Sequence, residues 1–126
     1  MIRIREYLDP HGRNVYRRWF DGLDVTAATK VTVSLERIAA GNISSIKAVG
    51  EGVSEYKIDF GPGYRIYFGK DGDQLVILLG GGTKKRQNQD IEDAKAAWRE
   101  YKELKKDALK QAGAKTGTKS RKAKRK

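Results

Sequence analysis

Lys57, Asp59, Arg65 and Tyr67 stand at alternate positions in two neighbouring stretches, VSEYKIDF and YRIYFG, separated by the turn residues GPG. In extended chains such residues point to one side of a sheet. Lys57 and Arg65 would supply two cations there, Tyr67 a hydroxyl and a ring, and Asp59 a counter-charge. Farther on, GGGTKKRQNQ places Lys84, Lys85 and Arg86 just before a helical pattern. Consecutive glycines free backbone N–H groups, and a helix N-terminus favours negative charge. Cations at that end are unfavourable for the helix itself, and a bound phosphate would offset the cost. The constellation suits a phosphate contact. A solvated face with an Asp59–Arg65 ion pair, worth roughly 0.2–1 kcal/mol, accounts for the same residues.

Other chemistry has less support. His11 is the only histidine and sits in the turn-like DPHG. Asp90, Glu92 and Asp93 suit the first turn of a helix rather than a metal site. Ser44 and Ser45 have no base beside them in sequence. With no cysteine in the chain, disulfides and thiolate metal sites are excluded. No metal and no cofactor is expected.

The elements that must position these residues follow from periodicity. IRIREY alternates and reads as a short strand. Asp9 and Pro10 suit a helix start, after which Tyr16, Trp19, Phe20 and Leu23 recur at helical spacing. A second helix from near Asp24 carries Val31, Leu35 and Ile38 on one side. ISSIKAVGEG reads as a polar loop. VSEYKIDF and YRIYFG are strands with apolar residues at alternate positions. KDGD suits a tight hairpin turn. QLVILLG is apolar on both sides and reads as a central strand. Ile91, Ala94, Trp98 and Tyr101 give a last helix. The order is β-α-α-β-β-β-α, an α+β fold with a small antiparallel sheet and helices on one face. A three-residue GPG loop pairs Phe60 with Tyr64, and a two-residue Asp71–Gly72 loop pairs Phe68 with Leu75. Lys57, Asp59, Arg65 and Tyr67 then share an open face with Val76 and Leu78, opposite Ile58, Ile66 and Ile77.

Composition adds a boundary. Lys102 to Lys126 hold 11 basic and 2 acidic residues, which is +9 of the chain's net charge of +11. Residues 1–104 read as one domain and residues 105–126 as a basic, disordered tail. No apolar run is long enough to span a membrane, and the N-terminus lacks the apolar centre of a signal peptide, so a cytoplasmic location is expected.

The segments GVSEYKIDFGPGYRIYF and DQLVILLGGGTKKRQNQDIEDAKAAW, with RWFDGL and RIAAGNISSIKAVGEGVSE upstream, resemble the addiction-module killer proteins. These are HigB-like toxins of the RelE/ParE superfamily, from type II toxin–antitoxin systems. The resemblance covers about residues 1–104. It implies the same element order and, in many members, metal-independent and ribosome-dependent mRNA cleavage, with the 2′-OH attacking the adjacent phosphate. By position, Arg65, Lys57, Lys84 and Lys85 match catalytic residues of such toxins, while Arg86, Tyr67, Lys57 and Arg65 would contact RNA. The partners implied are mRNA, the ribosome and a cognate antitoxin, a small helix-turn-helix protein of the HigA kind. The tyrosine or histidine that many such toxins carry near the start of the last helix has no counterpart in RQNQDI, which leaves the acid and base unassigned. Two further readings fit the same chain: a ParE-like inhibitor of DNA gyrase that acts by binding, and a non-toxic nucleic-acid-binding module.

Overall fold

A computed structural model describes the backbone of residues 1–42 and 44–124, with side chains up to residue 113. Strand β1 (Arg3–Glu6) is followed by helices α1 (Val15–Asp21) and α2 (Val25–Ala39). Strands β2 (Ile46–Gly50), β3 (Val53–Ile58), β4 (Tyr64–Lys70) and β5 (Leu75–Gly82) come next. A 3-10 turn (Lys84–Arg86) then leads into α3 (Gln87–Lys124). The sheet order is β1-β5-β4-β3-β2. β1 runs parallel to β5 and the other pairs are antiparallel, so this is a small α+β domain with a mixed sheet.

Two caps set the helical hairpin. The Asn14 side chain accepts from the Arg17 N–H, and Asp24 accepts from the Ala27 N–H. Each satisfies a donor that the first turn leaves open. Asp9 does not cap α1 as its sequence position suggests. Its Oδ1 instead accepts from the backbone N–H groups of His11 and Arg13 and closes the turn before the helix. The segment read as a polar loop contains β2. Ile46 pairs with Tyr56, and Gly50 and Gly52 adopt positive φ in the tight connection to β3.

Alternate residues of the central strands build two separate cores. Ile66 and Phe68 of β4, with Tyr56, Ile58, Val76 and Leu78, pack under Tyr16, Val31 and Ile38 of the hairpin. Tyr67 of β4, with Val53, Ile77 and Leu79, packs under Ala94 and Trp98 of α3. The hairpin therefore lies on one face, and α3 lies on the other, over the face expected to be open. This explains why β5 is apolar on both sides.

Register corrects the expected pairing in two ways. Ile58, not Phe60, opposes Tyr64, because five residues (Asp59–Gly63) form the loop. This slip of two keeps every β3 residue on its expected face, but it removes Asp59 from the ladder. Phe68 opposes Leu78 rather than Leu75. That slip of three is odd, so it exchanges the faces of β5. Ile77 and Leu79 join Tyr67, while Val76 and Leu78 join Ile66. The segment read as a basic tail starts within α3. α3 continues through Lys124. Lys102 to Gly113 contain Ala, Leu, Lys and Gln without proline, which favours extending a helix already nucleated upstream. Arg125 and Lys126 lie outside the described residues.

Candidate functional site

The site is built on two rungs of the sheet. In the first, Lys57 of β3, Arg65 of β4 and Gly82 of β5 stand side by side. In the second, Glu55, Tyr67 and Gly80 do so. Thr83 follows Gly82 at the position before the 3-10 turn that holds Lys84, Lys85 and Arg86, and its side chain makes no capping bond. The chain then enters α3, whose first residue reaches back. Gln87 donates through Nε2 to Glu55 Oε2 at 2.9 Å. This bond fixes the basic turn at the end of the two rungs.

Arg65 is only 5% exposed. Its Nη1 donates to the Gly63 carbonyl at 2.7 Å, and its Nε lies 3.7 Å from Glu55 Oε2. That distance makes an ion pair without a hydrogen bond. Arg65 Nε is therefore a buried donor with no acceptor among the described residues. The Tyr67 hydroxyl is a second buried polar group of this kind. Such groups cost roughly 1–3 kcal/mol each, which makes them rare in structures that serve packing alone. Burial, together with the Glu55 and Asp90 carboxylates, pushes the Tyr67 pKa well up, so its phenol keeps its proton at neutral pH.

The glycine run has a packing role that its sequence position concealed. A Cβ on Gly81 would collide with the Trp19 ring from the hairpin side. A Cβ on Gly82 would collide with the Asp90 carboxylate from the α3 side. Asp90 thus sits over the rung that carries Arg65. Burial raises its carboxyl affinity for protons, partly offset by nearby Arg86.

The expected residues divide into two groups. Lys57, Arg65 and Tyr67 share a face, and Lys84, Lys85 and Arg86 lie at its end. Lys57 and the three basic turn residues are exposed, whereas Tyr67 is fully buried and its ring cannot stack on a base. Asp59 lies in the loop, and the carboxylate paired with Arg65 is Glu55. Glu55 was visible in the sequence as the residue two before Lys57, on the same side of the strand. Gln87 and Asp90 carry no local signal, because only the fold brings the start of α3 over β4. Among the described residues, no three His, Cys, Asp or Glu side chains are grouped to hold a metal ion, and no helix is long and apolar enough to cross a membrane.

Residues 18–102 match the family model described as phage-derived protein Gp49-like (DUF891). The chain belongs to that family. The matched span runs from α1 into α3 and includes every candidate site residue named above. An uncharacterized protein of Haemophilus influenzae is 41% identical over 78 residues, which is 61% of this chain and 79% of that protein.

Proposed function

We propose that this Gp49-like chain is the toxin of a type II toxin–antitoxin pair and acts as a ribosome-dependent mRNA endonuclease of the HigB-like, RelE/ParE kind. The observation that carries this reading is the alignment of Lys57 and Arg65 on neighbouring strands, with the basic turn at the end of their rung. Cleavage by 2′-OH attack concentrates charge on a crowded phosphorane. Positioned cations stabilise that charge without a metal. Arg65 would hold the scissile phosphate through its planar donors. Lys57, Lys84 and Lys85 would stabilise the developing charge, and Arg86 would hold the strand. Tyr67 is a proton holder beneath the site rather than a base. Glu55 is the carboxylate paired with Arg65. A cognate helix-turn-helix antitoxin would neutralise the protein in a cytoplasmic setting.

Burial of Arg65 and Tyr67 favours a second reading, in which the fold inhibits DNA gyrase by binding alone. One experiment separates the two. Brief induction should arrest growth and create new mRNA 5′ ends at fixed codon positions, and Arg65→Lys should lower both at least tenfold. DNA breaks with intact transcripts would replace the nuclease reading with the gyrase one. Growth unaffected by the wild-type protein would remove both.

A further inference from the structure

α3 leaves the core after the half-buried Tyr101. Every residue from Lys102 to Gly113 is exposed. The charges of this helix are sorted by side. At about 100° per residue, Lys95, Arg99, Lys102, Lys105, Lys106 and Lys110 fall within an arc of about 140°. Glu92, Asp93, Glu100, Glu103 and Asp107 occupy the adjoining arc of about 100°. Part of the basic arc is already paired. Lys95 lies 3.5 Å from Glu92, Arg99 2.6 Å from Glu51, and Lys105 2.6 Å from Asp71. Lys102, Lys106 and Lys110 have no carboxylate within ion-pair distance among the described residues.

These three lysines are four residues apart, so each stands about 6 Å along the axis from the next. Like charges at that spacing repel and oppose the helix. The exposed turns have no packed face to compensate. A polyanion laid along the row would relieve the repulsion. The sequence from Ala114 to Lys126 adds seven basic residues and no acidic one. The family match ends at Lys102, so the row begins where the shared domain ends.

We propose that this row docks against the phosphate backbone of double-stranded RNA. A duplex presents closely spaced phosphates along a stiff axis, and a straight row of cations about 12 Å long meets several of them at once. Such contacts position a protein without reading sequence. The acidic arc beside the row disfavours a helix sunk in a groove, where phosphates flank both sides. Contact from outside suits RNA, whose deep, narrow major groove is closed to side chains. Single-stranded RNA is a poorer match, because it needs aromatic faces to stack on. Trp98 is 5% exposed, and residues 102–113 contain no aromatic. A membrane surface is poorer still, since Leu104 and Leu109 lie about 140° apart and make no apolar face. The choice of RNA over DNA rests on the reading of the Arg65 site as an RNA site, from which α3 runs directly through the basic turn.

The test uses the full chain and a short fluorescein-labelled RNA duplex of mixed sequence. The DNA duplex of the same sequence, one RNA strand alone and a poly-glutamate peptide serve as comparisons. Anisotropy should show the tightest binding to the RNA duplex. Lys102→Gln with Lys106→Gln and Lys110→Gln should weaken it about tenfold or more, and should flatten the slope of log affinity against log salt by about 2 to 3. Arg18→Gln with Lys30→Gln and Arg37→Gln removes the same charge from the hairpin side and should leave affinity within about threefold. Circular dichroism confirms folding of both variants. Equal loss in the two variants would reduce the effect to net charge and overturn the proposal. No loss from the row variant would place binding in residues 114–126 and also overturn it. So would tighter binding of the DNA duplex, the single strand or poly-glutamate, or no binding of the RNA duplex. Cleavage is scored separately. New mRNA 5′ ends without duplex binding would remove this inference alone, whereas row-dependent duplex binding without cleavage would keep it and remove the nuclease reading.

Discussion

The two faces of the sheet are made by the same strands and differ in what they bury. Under the hairpin, Ile66, Phe68, Val76 and Leu78 form an apolar layer. Under α3, the alternate residues include Tyr67, Ile77 and Leu79, but also Glu55 and Arg65, each about 5% exposed. One face gains stability from area removed from water, at roughly 25 cal/mol per Å². The other also buries an ion pair, and the desolvation cost of such a pair commonly cancels its attraction. A fold built for stability alone would place apolar residues on both faces. The difference sets the buried ion pair, and with it the candidate site, on the α3 face.

The largest effect expected is on the hairpin face. Phe68→Ala should cost about 3–5 kcal/mol, through lost transfer energy and the cavity left behind. Urea unfolding should show a lower midpoint with an unchanged slope. Tyr67 has similar burial on the opposite face, but Tyr67→Phe should be neutral or stabilising by up to about 1 kcal/mol, because it deletes a hydroxyl with no partner. Equal losses in the two variants would mean that the two faces are energetically alike.

A smaller effect tests the ion pair itself. Arg65→Met leaves Glu55 buried without its cation and should cost about 2–3 kcal/mol. Adding Glu55→Leu should return stability to near the starting value, because the double change replaces a desolvated pair with apolar packing. On the nuclease reading proposed above, RNA cleavage would be lost in both variants. Stability that falls further in the double variant would show that the pair holds the fold together and is not retained for function.

Much of this contrast could be read from the sequence, for a specific reason. Side chains alternate along a strand, so any even error in loop length leaves face membership intact. The GPG loop is two residues longer than its sequence suggests, and Lys57, Arg65 and Tyr67 still share a face. The KDGD connection is three residues longer than a two-residue turn, and β5 presents the opposite faces. There the Asp71 N–H bonds to the Leu75 carbonyl at 2.8 Å, a wider turn than Asp-Gly alone suggests. Face-to-face packing was less legible. An amphipathic α3 says that it covers something apolar, but not which side of the sheet. The signal was in β5, whose run of apolar residues requires cover on both faces. The glycine run misled because close approach by Trp19 and Asp90 needs the same residues as an anion cradle does.

The finest distinction between the faces is the sign of their pH dependence. Glu6 lies at the hairpin side with Asn14 and Arg17, whose hydrogen bonds hold its carboxyl below the usual range. A depressed folded value means that stability is present above the ordinary carboxylate range and lost as pH falls through the lowered value. Asp90 behaves in the opposite way. The N-terminal end of α3 favours its charge, but burial opposes it, and the raised value shows that burial wins. Its folded state holds the proton more tightly than the unfolded chain, so stability declines as pH rises through the raised value. Glu6→Gln should therefore reduce stability at neutral pH and have little effect in acid. Asp90→Asn should increase it at neutral pH and have little effect in acid. Both changes should be small, since both groups keep substantial contact with water. Thermal melts across the acid-to-neutral range provide the measurement. A loss at neutral pH in Asp90→Asn would mean that the helix end dominates and that the carboxylate over Arg65 is there for stability.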